Sequence, residues 1–267
     1  MHTSERENIK AMNNKTPLSI AIITKNEAHN LHDCLNSIGF AEQIVVVDSG
    51  SSDDTLKIAS EFGCHIYTEP WAGFGPQKQS AIDKCTQPWV LVLDADERIP
   101  HETAIAVRNI ISEQPHSIAG YSFPRKNYFQ GRWIKHLGWW PDHVVRLFRK
   151  DHGRMSRATV HESVEIDGPV EKLDVPIEHM TESRLSNILQ KIDHYSTLSA
   201  GEAFKEGRKA TVCSAAFRAV LTFFQNYVLK LGFLDGMQGL TLSITDSVNK
   251  FFKYAKLSEL TRNKNDK

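Results

Sequence analysis

The chain has 267 residues, 40% hydrophobic and 24% charged, which suits one large α/β domain or one domain with an appendage. Lys plus Arg equal Asp plus Glu at 32 each, so bulk charge gives no sign of a nucleic-acid partner. Cys34, Cys64, Cys85 and Cys213 form no C-x-x-C pair and read as reduced thiols of a cytosolic protein, not as a disulfide framework or a zinc site.

Residues 1–16 are polar and lack the apolar stretch of a secretory signal, so they read as a loose tail. Pro17 ends it. Leu18–Thr24 is β-branched and apolar, a first strand. Lys25–Asn30 turns into a helix carrying Leu31, Leu35 and Ile38, closed by Gly39. Gln43–Val47 is the second strand and ends on Asp48. The small residues from Ser49 to Thr55 form a turn with several candidate helix caps. A helix through Leu56, Ile58, Ala59 and Phe62 stops at Gly63, and Cys64–Tyr67 is a short third strand. Gly73, Gly75 and Pro76 punctuate a loop before a helix through Lys78, Ala81 and Ile82. Val90–Leu93 is a continuous apolar run, the form of a strand buried on both faces. Strand and helix alternate at short intervals, which predicts an α/β fold: a mostly parallel central sheet with helices on both faces.

After Pro100 the pattern loosens. Thr103–Ile111 reads as a helix, and Tyr121–Pro124 and Val144–Phe148 as strands. An aromatic segment with Tyr128, Phe129, Trp133, Trp139 and Trp140 lies between those strands. Val160–Ile166 alternates apolar and polar, as a half-exposed strand does. From Arg184 the periodicity is helical, with Leu185, Ile188, Leu189, Ile192 and Tyr195 on one face. Ala215 to Leu231 is apolar at helical spacing but interrupted by Arg218, Gln225, Asn226 and Lys230. That suits an amphipathic helix on a membrane surface better than a bilayer span, with packing inside the protein as the alternative.

The chemistry concentrates where strands end. Open α/β sheets bind ligands beyond the carboxyl ends of their strands, and both strong strands end in aspartate, Asp48 and Asp94. Asp94 and Asp96 flank the small Ala95. Two hard oxygen donors there suit Mg²⁺ or Mn²⁺ carrying a phosphorylated substrate, although such a pair can also cap a helix. Asp48 can accept hydrogen bonds from a ligand at the strand end, or cap the helix that follows. Thr24–Glu27 contains no glycine, which argues against the phosphate loop of a nucleotidyltransferase.

Leu18–Glu27, Val45–Thr55 and Val90–Glu97, in that order at three strand ends, resemble the family 2 glycosyltransferases, whose fold is GT-A. Trp140–Arg149, Val160–Glu162 and Gly232–Gly236 narrow the resemblance to bacterial lipopolysaccharide-core glucosyltransferases that modify heptose. The resemblance implies a GT-A domain over 17–183, with a nucleotide-sugar half at 17–100 and an acceptor half at 101–183. A helical, membrane-associating extension follows at 184–262, with a tail at 263–267. It implies transfer of a hexose, glucose above all, from a UDP-sugar to heptose of a lipid-linked oligosaccharide at the cytoplasmic face of the inner membrane. Nucleic acid has no part in it.

In that reading Thr24, Asn26, Glu27, Asp48, Lys78 and Asp94 contact the nucleotide sugar, and Asp96 ligates Mg²⁺ or Mn²⁺. Lys78 stands where the family usually has Arg. Inverting transfer needs one carboxylate base, for which Glu162 is the candidate, with His161 beside it and Asp142 as the alternative. Trp139, Trp140 and Arg146 are expected at the acceptor, the rings against sugar faces and the guanidinium against phosphate. The rivals are transfer of another sugar to another envelope glycan, and a non-catalytic nucleotide-sugar-binding protein.

Overall fold

A computed structural model describes residues 15–115, 117–156, 162–181 and 184–265, with side chains to residue 262. The chain packs as two units, Met1–Arg125 with Asp142–His179, and Lys126–Pro141 with Met180–Lys267. The aromatic segment 126–141 falls in the second unit.

The first unit begins with regular alternation: β1 (Thr16–Thr24), α1 (Ala28–Ser37), β2 (Ala41–Asp48), α2 (Thr55–Glu61), β3 (His65–Thr68), α3 (Phe74–Asp83) and β4 (Trp89–Asp94). The four strands run parallel in the order β3-β2-β1-β4. Successive strand residues point to opposite faces, and the apolar runs serve both. Leu18, Ile20, Ile22, Leu91 and Leu93 pack with Leu31, Leu35 and Ala59 of α1 and α2. Ala21, Val45, Val47, Val90 and Val92 pack with Ala81 and Ile82 of α3. Helices therefore cover both faces, and that is why these strands carry no polar alternation.

The chain then forms β5 (Glu97–Arg98), α4 (His101–Glu113), β6 (Gly120–Phe129), β7 (Arg132–Trp133), β8 (Asp142–Arg149), β9 (Gly153–Met155), β10 (Val164–Ile166), β11 (Val170–Lys172) and β12 (Ile177–Met180). Here the pairing turns antiparallel: β8 on β4, β6 on β8, and β12 on β5. The sheet is thus parallel in its first half and mixed beyond β4. Glu97 starts a short strand, not a helix, because it pairs with His179 across β5 and β12. The strand expected from Val160 is described only from Val164, and His161 lies outside the described residues.

In the second unit α5 (Leu185–Lys205) and α6 (Val212–Phe224) precede a π-helical turn (Gln225–Leu229), a 3-10 turn (Gly232–Asp235) and α7 (Gly236–Asn265). Thr211 caps α6 by accepting from the Ser214 backbone N–H, while the Ser214 hydroxyl accepts in return from the Thr211 N–H. Gly239 is required by a close approach: a Cβ there would lie 1.9 Å from the Gly232 carbonyl oxygen. Ala200, Ala203 and Leu257 form one small core, and Phe129, Ile134, Leu137 and Leu242 form another.

Candidate active site

Parallel register sets the site. Thr24 pairs with Asp48, and Ile23 with Asp94, so β1, β2 and β4 end at one level. Asp48 is wholly buried and must find donors there. It accepts from the backbone N–H groups of Gly50 and Ser51, both at 2.8 Å, and from the hydroxyls of Thr24 at 3.0 Å and Ser51 at 2.5 Å. The donors of its own loop therefore hold the Asp48 carboxylate at the strand end. Asn26 sits in the left-handed region at φ 58°. It accepts from Ser52 N–H at 2.8 Å and gives its own N–H to Ser51 Oγ at 2.8 Å. Glu27 N–H donates to Thr55 Oγ1 at 2.9 Å, and Glu27 Oε2 accepts from Asn30 Nδ2 at 3.0 Å. Thr24, Asn26, Glu27 and Asp48 are thus brought together by zipping the loops after β1 and β2. Ser49, which sequence reasoning did not single out, keeps a buried hydroxyl with no partner among the described residues.

A second cluster surrounds the end of β4. Lys78 Nζ on α3 lies 2.8 Å from Asp94 Oδ1, and Arg146 Nη2 on β8 lies 2.6 Å from Asp94 Oδ2. Arg146 Nη2 also meets Glu97 Oε1 at 2.7 Å, while Glu97 Oε2 accepts the Asp94 N–H at 3.1 Å. Burial works against the Asp94 charge, but the Arg146 and Lys78 cations outweigh it and hold its carboxyl far below the usual range. Burial likewise lowers Arg146, and Asp94 and Glu97 outweigh it, so the guanidinium stays charged. Arg146, expected at an acceptor, is buried and its Nη2 holds the strand-end carboxylate. Lys78 is also buried, so it is no solvated helix lysine.

Glu162 Oε1 lies 3.6 Å from Lys78 Nζ. With Asp94, Arg125 and Arg146 these residues line a cavity of about 440 Å³. The alternative base, Asp142, is engaged by Arg125 through Nε at 3.0 Å and Nη2 at 2.6 Å, both to Oδ2. Asp96 Oδ2 stands 3.2 Å from His179 Nε2, because β12 delivers His179 opposite Glu97. A carboxylate oxygen beside an imidazole nitrogen fits a divalent cation such as Mn²⁺. Among the described residues no three His, Cys, Asp or Glu side chains form a complete cation cage, so substrate oxygens would have to complete the shell. Trp139 and Trp140 fall in the second unit, where Trp140 meets Trp133 edge-on at 5.2 Å.

Arg125 and His179 were missed as site residues. His179 is brought to Asp96 from 83 residues away along the chain, a pairing no local pattern encodes. The cysteines form no disulfide. Burial raises the Cys64 thiol to about 11 and the Cys85 thiol to about 12, so neither is a nucleophile.

The sheet thus gathers carboxylates and a buried cationic clamp at its strand ends, where open α/β sheets bind ligands. The profile of Glycosyl transferase family 2 matches residues 19–165, and the chain belongs to that family. It is a glycosyltransferase, which sets aside the non-catalytic reading. It is 30% identical over 258 residues to the lipopolysaccharide core biosynthesis glycosyltransferase LpsC of Rhizobium meliloti (strain 1021), covering 91% of this chain and 92% of that one. It is 27% identical over 255 residues to the uncharacterized glycosyltransferase RT0209 of Rickettsia typhi (strain ATCC VR-144 / Wilmington), covering 91% and 87%. Among solved structures it resembles S. aureus TarS 1-349 in complex with UDP, with a TM-score of 0.46 and 15% identity over 92% of this chain and 91% of that one.

Proposed function

We propose that the protein transfers a hexose, glucose first among candidates, from a UDP-sugar to a heptose of a lipopolysaccharide inner core. The observation that carries this is the Lys78, Asp94, Arg146 and Glu162 cluster around one cavity, in a chain related along nearly its whole length to a lipopolysaccharide core enzyme.

The loops zipped by Asp48 and Asn26 present Ser49 and their backbone to the nucleoside. Asp94, fixed on two sides, faces the ribose and the diphosphate. Asp96 and His179 would hold the divalent cation, which supplies charge neutralisation for the departing diphosphate. Lys78 has a double role. Without donor it pairs with Asp94 and approaches Glu162. A diphosphate entering the cavity competes for the ammonium and draws it off Glu162, which is then free to act as base. Glu162 takes the acceptor hydroxyl proton, the acceptor oxygen bonds to the sugar C1, and the bond from C1 to the phosphate oxygen breaks, its electron pair leaving with UDP. One in-line displacement inverts the anomeric centre. Asp142 is the weaker base because Arg125 holds it in a two-toothed ion pair.

The same reading places the second unit on the cytoplasmic face of the inner membrane. Val212–Leu229 is the one stretch among the described residues with the length and apolarity of a membrane-crossing helix, and 11% of it is buried. The exposed turn after it, with Leu229, Leu231, Phe233 and Leu234, suits an interfacial seat. The test is a panel of UDP-sugars with a heptose-terminated core acceptor and Mg²⁺ or Mn²⁺. UDP-glucose should give UDP release and a product of inverted configuration. Glu162→Gln should bind UDP as wild type does and lose transfer by about 10²-fold or more. Turnover confined to acceptors without heptose would refute the acceptor, and a fully active Glu162→Gln would refute the base.

A further inference from the structure

The segment from Lys126 to Trp140 holds a cluster of its own within the second unit. Gln130 and Gly131 both take positive φ, 49° and 76°, the backbone of a two-residue hairpin turn. The turn folds β7 back on β6, so that Trp133 faces Tyr128 and Arg132 faces Phe129. The two-residue strand period then puts Lys126, Tyr128, Trp133 and Lys135 on one side of the hairpin. Lys135 Nζ lies 4.5 Å from the Trp133 ring centroid, and Lys126 Nζ lies 5.1 Å from it. The two ammonium groups are therefore no more than about 10 Å apart.

Among the described residues neither ammonium has a carboxylate within 4.0 Å. Asp235, the acid bonded nearest, is already engaged. It accepts from the backbone N–H groups of Lys135 at 3.3 Å and His136 at 2.9 Å, and meets His136 Nδ1 at 3.1 Å. That frame fixes the backbone of Lys135 without neutralising its side chain. Trp140 stands edge-on to Trp133, and the Trp133 Nε1–H is a buried donor with no acceptor among the described residues.

An indole ring attracts an ammonium through its face and leaves the ammonium's donors for a further partner. Two such cations on one ring, with no counter-ion, attract an anion. Tryptophan edges and faces beside them pack on the apolar side of a sugar. We infer that the Lys126, Trp133 and Lys135 face is a binding subsite for an anionic saccharide, one bearing a phosphate or carboxylate close to its ring. The inference rests on the acceptor proposed above and narrows it from a heptose oligosaccharide to a charged one. With Arg146 committed to Asp94, these lysines take the anion-binding task that the sequence assigned to that arginine.

Intrinsic tryptophan fluorescence of the full chain tests it without donor or turnover. The titrants are a heptose-terminated core oligosaccharide in native, dephosphorylated and carboxyl-reduced forms. The native form should bind about tenfold or more tighter than one of the stripped forms, as charge-assisted bonds do, and the form that loses affinity identifies the anion. Lys126→Gln with Lys135→Gln should erase the preference, and Lys126→Arg with Lys135→Arg should keep it. Equal affinity for all three forms overturns this inference alone, as does a preference that survives in the glutamine variant. Binding of UDP but of none of the oligosaccharides overturns the proposed acceptor and this inference with it. A parallel arm sediments the protein with anionic phospholipid vesicles. A glutamine variant that loses the vesicles but keeps its oligosaccharide preference places the lysines on lipid headgroups and overturns the subsite.

Discussion

Replacing Arg146 by methionine tests whether the end of β4 is held by a buried clamp. Arg146 Nη2 reaches Asp94 at 2.6 Å and Glu97 at 2.7 Å. Its loss is felt unequally. Asp94 keeps Lys78 at 2.8 Å, whereas Glu97, fully buried, keeps only Arg125 at 3.8 Å. Stranding one partner of a buried ion pair costs about 3–5 kcal/mol. At about 2–4 °C per kcal/mol for a protein of this size, Arg146→Met should melt roughly 6–20 °C lower by circular dichroism. Adding Glu97→Gln removes the stranded charge and should recover about 1–3 kcal/mol of the loss. The pH dependence has a definite sign. Because the Asp94 carboxyl is depressed in the fold, its contribution is present above the ordinary value of about 3.9 and is lost as pH falls below that. Arg146→Met relieves the depression, so through Asp94 the gap between wild type and variant should narrow from about pH 5 to pH 3. A loss under about 1 kcal/mol, or no recovery with Glu97→Gln, would refute the clamp.

Calorimetric titration of UDP with and without Mn²⁺ should show a cation-dependent gain in affinity that falls about tenfold or more in Asp96→Asn and in His179→Asn. Both variants keeping the full gain would place the cation elsewhere. Serine at Leu229, Leu231 and Phe233, which are 64%, 43% and 47% exposed, should change stability by less than about 0.5 kcal/mol each. Each burial lost from the bilayer weakens attachment by about 1.5–3 kcal/mol, so vesicle co-sedimentation should fall by well over tenfold in the triple variant. Unchanged sedimentation would show that this turn does not enter lipid.

The parallel half of the sheet was legible because its signal is local. Ile20 to Ile23, Val45 to Val47 and Val90 to Leu93 are apolar on both faces, and small residues or glycine mark each exit. Asp48 and Asp94 were legible as strand ends for the same reason. What those carboxylates touch was not legible. Residue type gave Asp48 an acceptor's chemistry, but not the loop donors that meet it in the fold. Arg146 sits in an alternating strand whose pattern allows a solvent face, and the pairing of β8 on β4 turns it inward. The antiparallel half joins residues far apart in sequence, so Glu97 and His179 met only in three dimensions. The excursion at 126–141 could not be assigned to a unit by pattern, since its aromatics fit a core or a sugar site equally well.

Charge explains why this site suits a donor that arrives with a metal ion. The described side chains around the end of β4 include the cations Lys78, Arg125 and Arg146, and the carboxylates Asp94, Glu97, Asp142, Glu162 and Asp96. The acids outnumber the bases, and the strongest pairs spend the cations on Asp94, Glu97 and Asp142. In the proposed reaction a diphosphate would meet Lys78, shared between Asp94 at 2.8 Å and Glu162 at 3.6 Å. That shared ammonium would attract the donor and exchange its hold on the proposed base, but it would leave Asp96 and the phosphates facing each other uncompensated. His179 beside Asp96 offers an imidazole nitrogen, a ligand type that suits a divalent ion and carries no negative charge. A buried clamp that keeps Asp94 ionised and a neighbouring oxygen–nitrogen pair are therefore complementary. In the proposed reaction the first would fix where the diphosphate lies, and the second would make room for the positive charge it must bring.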